Sequence, residues 1–252
     1  MKHWFISDLH IKDINERNGN TLLRFFFYLN ENPSQNKVYF LGDIFDFWLS
    51  DGQAFQKHYQ YLIQQIKYFK DHGGELVYFE GNHDFHIDRF WTRQLNIPVI
   101  ENEAYFQIGS IKVRCEHGDY INPDDHAYIS YREKIRQPWI EWIAHTLPGW
   151  FWKWFGEMLS AKSRKKTARY TLDNTERLRT MIQAYAMKVY NSEHFDIIIT
   201  GHMHIFDDYE FTDSRGQKIR SVNLGTWLDL PRTLCIEDDK IQIINLHHFL
   251  KT

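Results

Sequence analysis

Lys37-Val38-Tyr39-Phe40-Leu41-Gly42-Asp43 is the stretch on which the reading of this chain turns. Its centre is β-branched and aromatic and a glycine closes it, the pattern of a buried strand. Asp43 then stands at the carboxyl end of a strand, where open α/β sheets hold their ligands. A carboxylate has two oxygens and can bridge two cations. What decides the chemistry is whether the chain supplies further ligands, and it does so repeatedly, each time just past a strand-like run.

The bulk numbers bound the answer. At 252 residues and 43% hydrophobic, the chain can build one large domain or one domain with an insertion. A net charge of −3 argues against a general nucleic-acid binder, and no nucleic-acid partner is expected. Fourteen histidines are many for this length, and imidazole is the commonest metal ligand. Cys115 and Cys235 form neither a disulfide framework nor a zinc pair; they read as buried thiols in a reducing compartment. Met1-Lys2-His3 runs straight into a strand, and no apolar stretch is long enough to span a bilayer. The expectation is a cytoplasmic protein, with a peripheral contact on the inner membrane left open.

Outward from Gly42-Asp43, the same arrangement recurs. His3-Trp4-Phe5-Ile6-Ser7 reads as a strand and leads to Asp8-Leu9-His10, whose i and i+2 side chains share a face. Alone, that pair is more readily a helix-capping Asp beside an incidental His. A helix is predicted from about Asn20 to Asn30 and a longer one over Phe55–Phe69, stopped by His72-Gly73-Gly74. Between them, Asp46 could orient a ligand histidine or cap the next helix. Glu75–Phe79 reads as a strand ending in Glu80-Gly81-Asn82-His83-Asp84. Asn82 there offers an amide oxygen, and His83 is placed for acid–base work. A hairpin about Gly109-Ser110 joins strands Ala104–Ile108 and Lys112–Glu116 and delivers His117-Gly118-Asp119. Asp196–Thr200 runs into Gly201-His202-Met203-His204, and further strands follow to the end, with Leu224–Trp227 as a loop returning toward the site. From Pro123 to Tyr190 strand signals vanish. That segment holds five of the nine tryptophans, in Trp139–Trp154, then the basic run Lys162–Arg169 and a helical pattern from Leu178 to Val189.

Asp8-x-His10, Gly42-Asp43, Gly81-Asn82-His83-Asp84, His117-Gly118-Asp119 and Gly201-His202-x-His204 together resemble the calcineurin-like metallophosphoesterase superfamily. The resemblance implies an α/β fold, a four-layer αββα sandwich, built from 1–122 and 191–252 with a helical cap insertion over 123–190. It also implies a dinuclear centre. Asp8, His10, Asp43 and His204 would hold one divalent metal ion, and Asp43, Asn82, His117 and His202 the other. Nitrogen and oxygen ligands without thiolate suit Mn²⁺, the expected metal, and also Fe or Zn²⁺. Asp43 would serve catalysis as the bridge. His83 would protonate the leaving oxygen or stabilise charge on the phosphoryl group.

The insertion narrows the resemblance. Asp119-Tyr120-Ile121-Asn122-Pro123-Asp124-Asp125-x-x-Tyr128, Arg136-x-Pro138-Trp139, Leu147-Pro148 and the Ser/Lys/Arg run are similar to the helical cap of the UDP-2,3-diacylglucosamine diphosphatase family of lipid A biosynthesis. Gly42–Trp48 matches that family's block as well, whereas its best-known branch carries Arg at the position of His83. The resemblance implies hydrolysis of the pyrophosphate of a UDP-linked acylated sugar, giving UMP and 2,3-diacylglucosamine 1-phosphate. Asp125, Tyr128, Ser163, Arg164, Lys166 and Thr167 would meet the UDP-glucosamine head, with Asn82, His83 and His202 touching substrate from the metal side. The cap would shelter the acyl chains. Two other readings stand beside it: a general metallophosphodiesterase acting on another nucleotide or lipid pyrophosphate, and a non-catalytic scaffold of the same fold. Aromatics at helical spacing are ordinarily core and basic runs ordinarily a solvated face. Beside a phosphate-cleaving centre, the basic run also suits phosphate or a membrane headgroup.

Overall fold

The computed structural model describes residues 1–49, 51–137, 139–140, 142–143 and 174–251. The strands in chain order are β1 Lys2–Ile6, β2 Asn36–Leu41, β3 Trp48–Leu49, β4 Glu75–Phe79, β5 Asp84–Phe85, β6 Val99–Ile100 and β7 Ala104–Ile108. They continue as β8 Ile111–Cys115, β9 Ile197–Thr200, β10 Phe206–Thr212, β11 Lys218–Leu224, β12 Arg232–Glu237 and β13 Lys240–Asn245. Six of them form one sheet in the order β13-β12-β1-β2-β4-β6, and five form a second in the order β10-β11-β9-β8-β7. Strands β1, β2 and β4 run parallel in the first sheet, and β8, β9 and β11 in the second.

Strand alternation sorts side chains into layers. Phe5, Tyr39, Leu41, Val77 and Phe79 face the second sheet, where Val113, Cys115, Ile197, Ile199 and Val222 meet them. Their neighbours Trp4, Ile6, Val38, Phe40, Leu76 and Tyr78 point the other way. Those pack on helices α1 (Arg17–Leu29) and α3 (Gln60–Asp71) through Phe25, Phe26, Leu62, Ile66 and Phe69. The far side of the second sheet is covered by a helix over 174–192, whose Ala186 and Tyr190 pack with Phe195, Ile198 and Ile219. Helices, sheet, sheet and helix make the four-layer αββα sandwich.

Two expectations change. The single helix predicted over Phe55–Phe69 is divided into α2 (Gln53–His58) and α3. Tyr59, at φ −102°, lies between them. Its ring is drawn between Phe45 and Trp48, and its hydroxyl donates to the Ile11 carbonyl at 2.8 Å. The other concerns the insertion's last helix, placed in the cap by a boundary after Tyr190. Leu178 and Ile182 pack with Ile121, Met203 and Ile205, and Tyr185 donates to Glu116 at 2.7 Å, so this helix is the sandwich's outer layer. Beyond the single-turn helix α4 (Asp88–Trp91), nearer the start of the insertion, Asp125 caps α5 (His126–Ile135) by accepting from the Tyr128 amide at 3.0 Å. The basic run Lys162–Arg169 lies outside the described residues.

Candidate metal centre

The loops after β1, β2, β4, β8 and β9 meet at one end of the sandwich. Parallel strands bring this about, because their carboxyl ends point the same way. Asp8 and His10 follow β1, Asp43 follows β2, and Asn82 and His83 follow β4. His117 follows β8, and His202 and His204 follow β9. Adjacent loops are laced by backbone bonds: Asp8 N–H donates to Gly42 O at 3.2 Å and His10 N–H to Asp43 O at 3.0 Å. The loop after β11 closes on the same strand end, with Thr226 Oγ1 and Trp227 N–H donating to the Asp8 carbonyl at 3.0 and 3.1 Å.

Close approach of these loops has a steric condition. Gly42 is in the left-handed region at φ +86°, and a Cβ there would lie 2.5 Å from His117 Nδ1. A Cβ on Gly81 would fall 2.1 Å from Asp43 Oδ1. The glycines of Gly42-Asp43 and Gly81-Asn82 are therefore what lets two strand-end loops touch.

Asp8, His10, Asp43 and His204 each offer one ligand atom, all within 4.8 Å of one another. On the other side, Asn82 Oδ1 lies 3.4 Å from His117 Nε2 and 3.2 Å from His202 Nδ1. Asp43 Oδ2 faces both groups, 3.8 Å from His10 Nε2 and 3.6 Å from His117 Nε2. Asp8 Oδ1, His10 Nε2 and His204 Nε2 turn toward one point: Asp8 Oδ1 lies 3.2 Å from His204 Nε2, and the two imidazole nitrogens face each other at 3.0 Å. Buried carboxylates need compensating charge, so this donor set fits divalent cations.

The electrostatics agree. Burial opposes ionisation of Asp8 and Asp43, but the surrounding imidazoles outweigh it and hold both below the ordinary carboxylate range. Burial and neighbouring imidazoles push His10 down to about 3 and His202 down to about 4, leaving neutral rings with free lone pairs. Burial acts the same way on His117, yet Asp43, Asp119 and Asp8 raise it to about 9. A cation there would compete with that proton. His117 Nδ1–H donates to Leu41 O at 2.7 Å, which turns Nε2 toward Asp43.

Backbone strain marks five of these seven candidate ligands. Asp8, His10, Asp43, His202 and His204 all have positive φ, between 48° and 66°. Non-glycine residues in that region cost energy and gather at functional sites.

His83 is half-buried beside this cluster, its ring 4.8 Å from that of His10. Its N–H donates to Asp43 Oδ1 at 2.9 Å, and its Nδ1 lies 2.7 Å from the Asp46 carbonyl. A carbonyl only accepts, so Nδ1 carries the proton and Nε2 is the free nitrogen. Asp46 thus holds His83 through its backbone; Asp46 carboxylate, His83 and His10 also lie within one ligand-sized group. Tyr128 stacks obliquely at 4.8 Å from His202, with its hydroxyl on the Asp119 carboxylate. Asp125 is at the cap of α5, three residues from Tyr128. Ser163, Arg164, Lys166 and Thr167 lie outside the described residues.

Sequence reasoning gave no role to Asp84 and Asp119, although both stand in the motifs it singled out. Asp84 accepts from three backbone amides and a tyrosine, and Asp119 from Tyr128 and Arg132. Their position after a strand was the only signal; burial and the convergence of donors are visible only in three dimensions.

The sequence model of the calcineurin-like phosphoesterase family matches residues 1–206. Curated relatives include the UDP-2,3-diacylglucosamine hydrolase of Vibrio atlanticus, 26% identical over 246 residues, covering 97% of each chain. That of Haemophilus influenzae is 29% identical over 236 residues, covering 90% of this chain and 91% of its own. Among solved structures, the Escherichia coli phosphoesterase YfcE superposes with a TM-score of 0.47 at 14% identity, covering 98% of this chain and 94% of its own.

Proposed function

This chain belongs to the calcineurin-like phosphoesterase family, and we propose that it is a dinuclear hydrolase that cleaves the pyrophosphate of UDP-2,3-diacylglucosamine to UMP and 2,3-diacylglucosamine 1-phosphate. One observation carries the reaction class: Asp43 Oδ2 faces the imidazoles of both ligand groups at 3.6–3.8 Å. The substrate is supported by relatives named for it that match nearly the whole chain, insertion included.

Asp8, His10, Asp43 and His204 would hold one cation and Asp43, Asn82, His117 and His202 the other. Mn²⁺ suits that mixed set. When bound, such a pair supplies Lewis acidity at phosphorus and a water of lowered pKa as nucleophile. The chain's own contributions lie around it. His83, held through Nδ1–H by Asp46 O, would act as the imidazolium, passing its Nε2 proton to the leaving oxygen and keeping the Nδ1 proton on Asp46 O. Tyr128, in the first turn of α5, packs on His202 and would orient the substrate head together with the N-cap Asp125, with Ser163, Arg164, Lys166 and Thr167 completing its contacts. Trp139 and Trp142 are 56% and 68% exposed and would meet acyl chains or the cytoplasmic membrane face. No helix among the described residues is long and apolar enough to cross a membrane.

The test is a comparison of turnover on four substrates: UDP-2,3-diacylglucosamine, its deacylated counterpart, bis-nitrophenyl phosphate and cyclic nucleotides. The expected result is release of UMP with a strong preference for the acylated substrate. Equal kcat/KM with and without acyl chains would overturn the lipid assignment and leave a general phosphodiesterase.

A further inference from the structure

Asp84 is buried completely and is not among the proposed ligands. Its Oδ1 accepts from Asp43 N–H at 2.9 Å and Gly81 N–H at 2.8 Å. Its Oδ2 accepts from Ile44 N–H at 2.8 Å and from the Tyr78 hydroxyl at 2.7 Å. Three of these four donors are backbone amides on two different loops, the one carrying Asp43 and the one carrying Asn82. Within the loop that carries Asp84 itself, Gly81 N–H also reaches the Asp84 carbonyl at 3.2 Å. The Asp43 backbone so held is in the left-handed region at φ 54°, a conformation that its surroundings must enforce.

We propose that Asp84 is a positioning residue for both metal half-sites: its carboxylate fixes the spacing of the Asp43 and Asn82 loops and thereby sets cation affinity. The argument rests on the metal-dependent reading of the site but on no particular substrate. Ionised carboxylates that accept backbone amides make the stronger class of hydrogen bond. Side chains that orient metal ligands from behind typically change affinity or activity by about 10–100-fold when altered. Asn at this position cannot serve both sides. Its carbonyl can take the Asp43 and Gly81 amides, but its NH₂ then points at the Ile44 N–H, donor against donor. Tyr78 is different, since its hydroxyl can rotate, and it ties Asp84 to the core rather than to a loop.

The experiment is calorimetric titration of Mn²⁺ into the metal-stripped full-length protein, with the melting temperature of each metal-stripped variant recorded alongside. Asp84→Asn should weaken Mn²⁺ binding by about 10–100-fold. Asp84→Glu keeps two acceptors and should recover most of that loss while remaining measurably weaker than the parent, because the extra methylene displaces the loops. Tyr78→Phe should lower the melting temperature yet leave Mn²⁺ affinity within about threefold, for it touches no loop amide. A folded Asp84→Asn with parental Mn²⁺ affinity would overturn the proposal, since a merely structural carboxylate would move the melting temperature alone. Should Asp84→Asn not fold, the comparison passes to Asp84→Glu against Tyr78→Phe. Weaker Mn²⁺ binding by the glutamate variant supports positioning, and equal binding refutes it. A substrate other than UDP-diacylglucosamine would change none of these readings.

Discussion

Asp43 and His83 are joined by a single 2.9 Å hydrogen bond, yet their substitution should have separable effects. Asp43→Asn keeps the shape and removes the charge that the two proposed half-sites would share. It should cost at least one bound metal per chain and nearly all turnover; metal analysis showing two ions and normal rates would refute the shared-ligand assignment. His83→Ala removes a ring that packs against His10 but is itself assigned to neither metal. It should lower kcat by about 10²–10⁴-fold, the range for a lost general acid, with metal content unchanged. His83→Arg then distinguishes roles, because arginine supplies charge but cannot donate a proton at working pH. Activity retained in the arginine variant would favour charge stabilisation over acid catalysis.

At the next scale, α5 is pinned to the core by Arg132. Its guanidinium donates to Asp119 Oδ2 at 2.6 Å, Tyr120 Oη at 2.7 Å, Glu101 O at 3.0 Å and Asn102 Oδ1 at 3.1 Å. Both side chains of the Arg132–Asp119 pair are almost fully buried. Breaking such a pair from one side leaves an uncompensated charge and costs roughly 3–5 kcal/mol. Arg132→Gln should therefore lower the unfolding free energy of the metal-stripped protein by that amount, seen as a fall in the urea midpoint at unchanged slope. A change below about 1 kcal/mol would mean that the ion pair contributes no more than an exposed one does. Elements also show what the sequence could and could not disclose. The strands before Asp8, Asp43, Asn82, His117 and His202 were legible because each is an apolar run cut off by a turn, and the strand end itself places the ligand. The apolar face of Leu178, Ile182 and Ala186 announced a helix but not its mate, since periodicity says that a face is buried and not against what. The break at Tyr59 was invisible for a related reason: the aromatic spacing continues unbroken through it, and only the Ile11 carbonyl explains the kink.

For the whole molecule, pH response offers a test away from the metal cluster. His3 lies in β1 with Nδ1 3.1 Å from the Tyr39 hydroxyl, its ring stacked on Tyr39. Burial first, then Lys37 and the terminal amine, push its pKa down to about 4. In the unfolded chain it titrates near 6.5, so between these values the unfolded state binds more protons. Its contribution to stability is present above pH 6.5 and is lost as pH falls toward 4. His3→Gln, compared with the parent in the metal-loaded state, should flatten that part of the stability–pH curve. Identical slopes in the two proteins would show that His3 does not change protonation on unfolding.

The two feet of the insertion stand on different parts of this frame. Arg132 binds α5 to the loops after β6 and β8, and Tyr185 with its apolar neighbours binds the 174–192 helix to the second sheet. With both feet fixed by the sandwich, the chain between them closes a loop whose entropic cost grows by only about 0.6 kcal/mol for each doubling of its length. The stretch after Arg136, whose guanidinium is held by the buried Glu80 at 2.7 Å, can therefore change in length with little entropic penalty to the frame that carries the candidate ligands. Such an architecture behaves as a socket: one hydrolytic base plate, onto which selection can graft new recognition surfaces while the chemistry beneath stays in register.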